Sequence, residues 1–129
     1  MKNEELDEKF IERQRERLEA LRDELVRMQH EMEDDERERG EAEGDFTEHD
    51  SGDQSLSMFT REIDATVGEQ AARRLEDVNR ALEKIEEETY GICDDTGEPI
   101  PRGRLEAMPE AIRTVEAQER FERERRPGR

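Results

Sequence analysis

The stretch IERQRERLEALRDELVRMQHEM, residues 11–32, decides the architecture. Ile11, Leu18, Leu21, Leu25, Met28 and Met32 recur at alternating steps of three and four, with Gln14 filling the one gap in the series. A narrow apolar seam of that period is the mark of a helix that pairs with another helix. The remaining faces are nearly solid Glu and Arg, many spaced to pair along the helix. No Pro or Gly interrupts the segment before Gly40, so residues 4–38 read as one helix, about 50 Å long at 1.5 Å per residue.

A second seam supplies the partner. Leu56, Phe59, Ile63, Val67, Ala71, Leu75, Val78, Leu82 and Ile85 mark a helix from about Gln54 to Glu88. Its steps from Ile63 to Leu75 are all four, a stutter that locally unwinds a supercoil. Gly68 weakens it modestly. Ser51 or Asp53 is placed to cap its start. The two segments are similar in length and can fold back antiparallel, and an intramolecular pair is favoured because the connection is short enough to close cheaply. The expected protein is a monomer.

Between them lies DFTEHDSGDQS, Asp45–Ser55, which has no hydrophobic period and is punctuated by Gly44 and Gly52. The window Glu31–Asp53 holds twelve carboxylates against Arg37 and Arg39, and so carries −10 of the chain's net −17. Such a run is ordinarily a solvated loop. Residues 40–54 therefore read as the acidic tip of a helical hairpin.

At Tyr90 the texture changes. YGICDDTGEPIPRGRLEAMPEAI, residues 90–112, contains three of the four prolines and three glycines. The spacing predicts a small hairpin around Asp95–Thr96–Gly97. Pro109 then marks a helix start, with a third helix over 111–124 carrying Ile112, Val115 and Phe121. The chain divides accordingly into a helical hairpin, 1–89, and a small module with a C-terminal helix, 90–129. The fold class is mainly α.

Composition excludes several functions. With 29% apolar and 47% charged residues the chain cannot build a sizeable round core. A net charge of −17 opposes direct binding to a DNA backbone or to anionic lipid, and suits a basic surface on a partner protein. No apolar run approaches a membrane span. The acidic N-terminus does not resemble a secretory signal, and Cys93 is the single cysteine, so the expected location is cytoplasmic. There is no glycine-rich phosphate loop and no nucleophile beside a histidine. A calcium loop starting at Asp45 fails because its sixth position is Asp50 where Gly is required. No enzyme is indicated.

The span from Tyr90 to Ala111 resembles the zinc-finger region of the DksA/TraR family of bacterial RNA polymerase-binding factors. Tyr90, Gly91, Cys93, Gly97, Ile100, Arg104, Leu105, Ala107, Pro109 and Ala111 match its pattern, and the order of helix, acidic loop, helix and finger matches upstream. The departure lies in the metal ligands. Three of the four cysteine positions are Thr96, Thr114 and Ala117, leaving Cys93. Structural zinc needs four N, S or O donors, and His30 and His49 are too near the hairpin tip to help. The resemblance is therefore to zinc-independent members, with no cofactor, and with the module resting on packing of Tyr90, Ile92, Ile100, Leu105, Met108, Ile112 and Val115. Cys93 reads as a small buried hydrophobe.

The family's tip motif, DxxDxA, falls by its spacing from Cys93 on Asp50, Asp53 and Ser55, the last replacing Ala. The resemblance implies that this tip passes through the secondary channel of RNA polymerase toward the active site and biases initiation complexes. Where family members hold ppGpp with basic residues, this chain offers Asp77, Met108 and Gln118, so a ppGpp response is not expected. Two other functions use the same features: a Gre-like transcript-cleavage stimulator, and a coiled-coil adaptor with no polymerase role.

Overall fold

Asp7 closes an irregular N-terminal segment and starts the first helix, its Oδ1 accepting from the Phe10 amide at 2.7 Å as an N-cap does. The computed structural model describes residues 2–45 and 51–125, with side chains except at 36, 39–45 and 51–65. The described residues form four helices in order: α1 (Glu8–Asp45), α2 (Ser51–Glu86), α3 (Arg102–Ala107) and α4 (Val115–Arg125). The chain forms two compact units, one of Met1–Arg22 with Glu76–Arg129 and the other of Asp23–Leu75.

Both long helices outrun their expected ends at the acidic segment. α1 continues through Gly40 and Gly44 to Asp45, and α2 begins at Ser51, so Ser51 and Asp53 lie within the helix. Isolated glycines cost a helix only about 1 kcal/mol each relative to Ala, and the Glu and Arg around Gly40 and Gly44 are good helix formers. At the other end α1 starts at Glu8 rather than near residue 4, because residues 2–7 are drawn onto the finger. Asn3 Nδ2 donates to the carbonyls of Gly91 at 3.0 Å and Ile100 at 2.8 Å, while its Oδ1 accepts from the Glu5 amide.

In the Asp23–Leu75 unit, Leu25 and Ala71 are buried, and Met32 on α1 packs over Gly68 on α2, its Cε 3.6 Å from where a glycine methyl would stand. The antiparallel pairing puts a flexible side chain over the position that has none. Val67, expected in the seam, is 41% exposed. In the other unit the α1 and α2 ends bury Phe10, Gln14, Leu18, Val78, Ala81, Lys84 and Ile85, and Arg15 pairs with Glu86 at 2.9 Å.

α2 ends in a Schellman turn. The Thr89 amide reaches the Lys84 carbonyl at 2.8 Å, the Glu88 amide reaches that of Ile85, and Glu88 takes φ +63°. The hairpin follows: an Ile92–Pro99 antiparallel bridge, the Cys93 amide on the Glu98 carbonyl at 2.8 Å, and the turn closed by Gly97 at φ +75°. The short α3, not anticipated from the sequence, then leads into a strap, 109–114.

The last helix begins at Val115, not at 111, for a specific reason. The carbonyls of Pro109, Ile112 and Arg113 are taken by Tyr90 Oη, the Asp94 amide and Arg104 Nε. A carbonyl bonded to another element is unavailable to a helical turn, so the strap stays irregular until Thr114 Oγ1 accepts from the Ala117 amide and α4 begins.

Two positions in left-handed backbone give opposite expected outcomes. At Gly91 (φ +89°) a methyl would stand 2.5 Å from Leu6 Cδ1 and 3.1 Å from Asn3 Nδ2. Gly91→Ala is expected to destabilise by more than about 1 kcal/mol. Glu88→Gly, which relieves a side chain at φ +63°, is expected to stabilise by roughly 1 kcal/mol. Urea unfolding of both variants measures this, and a neutral Gly91→Ala would show that the N-terminal segment does not seat against the hairpin.

Candidate functional site

The finger-like module is the best-defined candidate, and it is built around one tyrosine. Tyr90 follows the α2 cap and points inward, 3% exposed. Its Oη accepts from Gln14 Nε2 at 2.9 Å and donates to the Pro109 carbonyl at 2.8 Å. Gln14 Nε2 also donates to the Leu105 carbonyl at 2.8 Å, and Gln14 Oε1 accepts from Arg17 at 2.8 Å. Arg17 reaches on to the Glu106 carbonyl. One amide on α1 thus ties the hairpin's first residue to α3, and the tyrosine ties both to the strap. Burial pushes the Tyr90 hydroxyl up to about 12, against the downward pull of the Gln14 bond and the Arg17 charge.

Around this network Ile92, Ile100, Leu105 and Ile112 are buried, as expected of a module held by packing. Met108 and Val115 are not: they are 42% and 47% exposed. They bracket the strap, at the C-cap of α3 and the first residue of α4, where the backbone turns outward.

The four positions that the resemblance aligns with zinc ligands, Cys93, Thr96, Thr114 and Ala117, come together. Cys93 is 2% exposed, and its thiol hydrogen-bonds the Thr96 side chain and meets backbone amides of Thr114, Thr96 and Asp95. Burial raises the thiol's pKa, but these hydrogen bonds outweigh it and set it below its usual value. Thr114 and Ala117 are buried, joined by the Thr114 Oγ1 to Ala117 amide bond at 3.3 Å. The donor set does not fit zinc: one thiol, one exposed threonine hydroxyl, one hydroxyl already accepting from an amide, and a methyl. Among the described residues no group of three or more His, Cys, Asp or Glu is placed to hold a metal ion.

The hairpin turn carries a charged cluster that sequence reasoning missed. Asp94 accepts from Arg80 at 2.8 and 3.0 Å and from Lys84 at 2.7 Å. Lys84, which reads in the sequence as another surface lysine, is 2% exposed. Its only sequence signal is its place one residue before Ile85 on the seam. Asp95 accepts from Arg113 at 2.9 Å, and Arg113 lies 3.7 Å from the Phe121 ring centroid. Burial opposes ionisation of Asp94, but the Arg80 and Lys84 hydrogen bonds outweigh it and hold the carboxyl below its ordinary range.

The tip residues stand differently. Asp50 lies outside the described residues, and Asp53 and Ser55 fall in the first turns of α2 with side chains outside the description. Of the three positions considered for ppGpp, Asp77 is half-buried on α2, where burial raises its carboxyl pKa and Arg113 pulls it down. Met108 is exposed, and Gln118 donates to Glu122 within α4. Among the described residues no helix is long and apolar enough to cross a membrane.

Comparison with known proteins adds the following. Residues 88–123 match a family described as the prokaryotic dksA/traR C4-type zinc finger. General stress protein 16O of Bacillus subtilis is 50% identical over 66 residues, covering 51% of this chain and 40% of that protein. The RNA polymerase-binding transcription factor DksA of Caulobacter vibrioides is 39% identical over 80 residues, 62% of this chain and 56% of that one. The chain thus spans about half the length of these curated relatives. Among solved structures, transcription factor DksA2 from Pseudomonas aeruginosa is 32% identical with a TM-score of 0.49, covering 94% of each chain. The RNA polymerase binding protein and transcriptional regulator Dks from Chlamydia trachomatis is 30% identical with a TM-score of 0.41, covering 84% of this chain and 90% of that one.

The tyrosine offers a direct check on the network. Tyr90 is the chain's one tyrosine and there is no tryptophan, so tyrosinate absorbance reports it alone. A folded pKa near 12 against about 10 unfolded means that the neutral hydroxyl favours the folded state. That contribution is full below about pH 10 and is lost as the pH rises toward 12. Titration of the native protein should have its midpoint well above that in concentrated urea; equal midpoints would show Tyr90 exposed and the network absent.

Proposed function

The chain belongs to the DksA/TraR family, and we propose that it is a transcription regulator, not an enzyme, that binds bacterial RNA polymerase through the secondary channel. The observation that carries this is the 39% identity over 80 residues to a polymerase-binding transcription factor. The architecture supports it. In chain order a long helix, an acidic segment, a second long helix and the finger follow one another, and the acidic segment bears carboxylates where the family's tip motif falls, at Asp50 and Asp53, with Ser55 in place of Ala.

On this reading the finger unit and helix flanks supply most of the contact with polymerase. The tip acts where the enzyme's active site rearranges, and its carboxylates favour some initiation conformations over others by differential interaction. They need perform no chemistry. With a net charge of −17 the chain is matched to a basic surface or a protein-bound cation, and makes no direct contact with DNA phosphates. The finger works without zinc, since one thiol, two hydroxyls and a methyl are not a zinc donor set. ppGpp does not act through the finger side, because Asp77, Met108 and Gln118 cannot pair with a phosphate.

Two expected outcomes follow. EDTA should leave the circular dichroism and melting temperature unchanged, and a stoichiometric zinc atom by elemental analysis would contradict the metal-free reading. The polymerase reading is tested at the tip. Asp50→Asn with Asp53→Asn should change stability by less than about 0.5 kcal/mol and leave capture by core polymerase largely intact, yet sharply reduce regulation of initiation in vitro. A double variant that regulates like the parent would return the acidic run to a solvated segment, and a parent that does not bind core polymerase would leave a coiled-coil adaptor.

A further inference from the structure

A loop that loses its metal must either loosen or find another cross-link. The loop between Cys93 and Thr96 is the one that a finger metal would pin at both ends, and here its two intervening residues are both carboxylates, each placed on cations from a different element. Asp94 takes a forked contact from Arg80 and a third bond from Lys84, both on α2. Asp95 takes Arg113 from the strap, and Arg113 is in turn stacked on Phe121 of α4. Arg80 is also shared with Glu83 at 2.9 Å and Glu87 at 3.3 Å, which fixes its direction.

Burial separates the Lys84–Asp94 contact from ordinary surface pairs. The Lys84 side chain is 3% exposed and that of Asp94 20%, whereas the Arg15–Glu86 pair leaves its glutamate 72% exposed. Exposed pairs contribute little. A buried ammonium deprived of its carboxylate is strongly unfavourable, so the lysine cannot be indifferent to Asp94. Geometry adds to this, since Arg80 meets Asp94 through two nitrogens, the arrangement in which guanidinium and carboxylate are most directional.

We propose that an acid–base clamp, Asp94 on Arg80 and Lys84 and Asp95 on Arg113, holds the hairpin turn to α2 and to the strap, and does for this chain the cross-linking that four cysteines would do through a metal. The clamp rests on the metal-free reading of the finger, and it makes a different claim: which side chains replace the metal.

Amide hydrogen exchange reads the clamp where it acts. The amides of Cys93 and Gly97 close the turn on the carbonyls of Glu98 and Cys93. Asp94→Asn should accelerate their exchange at least tenfold. Arg80→Gln with Lys84→Met should do the same, and adding Asp94→Asn to that pair should add less than twofold, because the partners are already gone. Arg80→Gln alone, which leaves Lys84 on the carboxylate, should give an intermediate acceleration and keeps the measurement open if Asp94→Asn does not fold. Exchange within twofold of the parent in Asp94→Asn, or effects of the two sides that simply multiply, would overturn the clamp. EDTA added to the parent separates the two claims: faster exchange of these amides would defeat the metal-free reading, whereas only the Asp94, Arg80 and Lys84 variants decide the clamp.

Discussion

The buried amide of Gln14 is the constraint on which the finger unit depends. It stands on the apolar face of α1, 2% exposed, and every hydrogen-bonding group it has is met: two donors by Tyr90 Oη and the Leu105 carbonyl, one acceptor by Arg17. Apolar seams are forgiving, because a leucine one step along still buries area. A fully satisfied polar network is not, since any displacement leaves a desolvated group unpaired at about 1–3 kcal/mol. Gln14 therefore sets where α1 stands against the hairpin and α3, and the hydrophobic residues fill in around a position already chosen.

Much of this fold was legible because helix pairing writes itself into sequence as a period. The seam residues Leu18, Leu25, Ala71, Val78 and Ile85 are buried, and the hairpin turns where Asp95–Thr96–Gly97 said it would. What stayed hidden has a common cause: polar side chains of one element hydrogen-bonded to another element distant in sequence. Asn3 and Lys84 carry no seam signal and Gln14 fills a gap in one, yet each is buried by a partner at least ten residues away in sequence. The start of α4 was misplaced for the same reason. Pro109 is a good helix opener locally, but the strap carbonyls belong to Tyr90, Asp94 and Arg104. The proposed tip is the reverse case. Asp50, Asp53 and Ser55 rest on the spacing of a motif alone, with the side chains outside what the structure describes.

A finger whose donor set does not fit zinc still has the means to hold together as a module. Zinc supplies one strong, local cross-link that a small hydrophobic cluster cannot match alone. This module is not alone. Its hairpin is joined by residues 2–7 through Asn3, by α1 through Gln14, by α2 through Arg80 and Lys84, and by α4 through Arg113 and Phe121. Several moderate ties to elements already held by a helical seam can together do what one strong tie does within a loop. Cys93 survives in that setting as a buried thiol hydrogen-bonded to Thr96, which packing suffices to explain.

The same ties bear on how the chain meets a partner. Its cations are few against its acids, and in the finger unit many are engaged internally: Arg15 with Glu86, Arg17 with Gln14 and Glu106, Arg80 and Lys84 with Asp94, Arg102 with Glu5 and Glu106, Arg113 with Asp95. A guanidinium held at 2.8–3.0 Å by a carboxylate is poorly available to a phosphate, since a new contact must first break the old one. The window Glu31–Asp53, by contrast, sets twelve carboxylates against two arginines in the sequence. Internal pairing thus sharpens an imbalance already present in composition, because many cations of the finger unit are committed to its own fold while the window Glu31–Asp53 carries −10 of the chain's net −17.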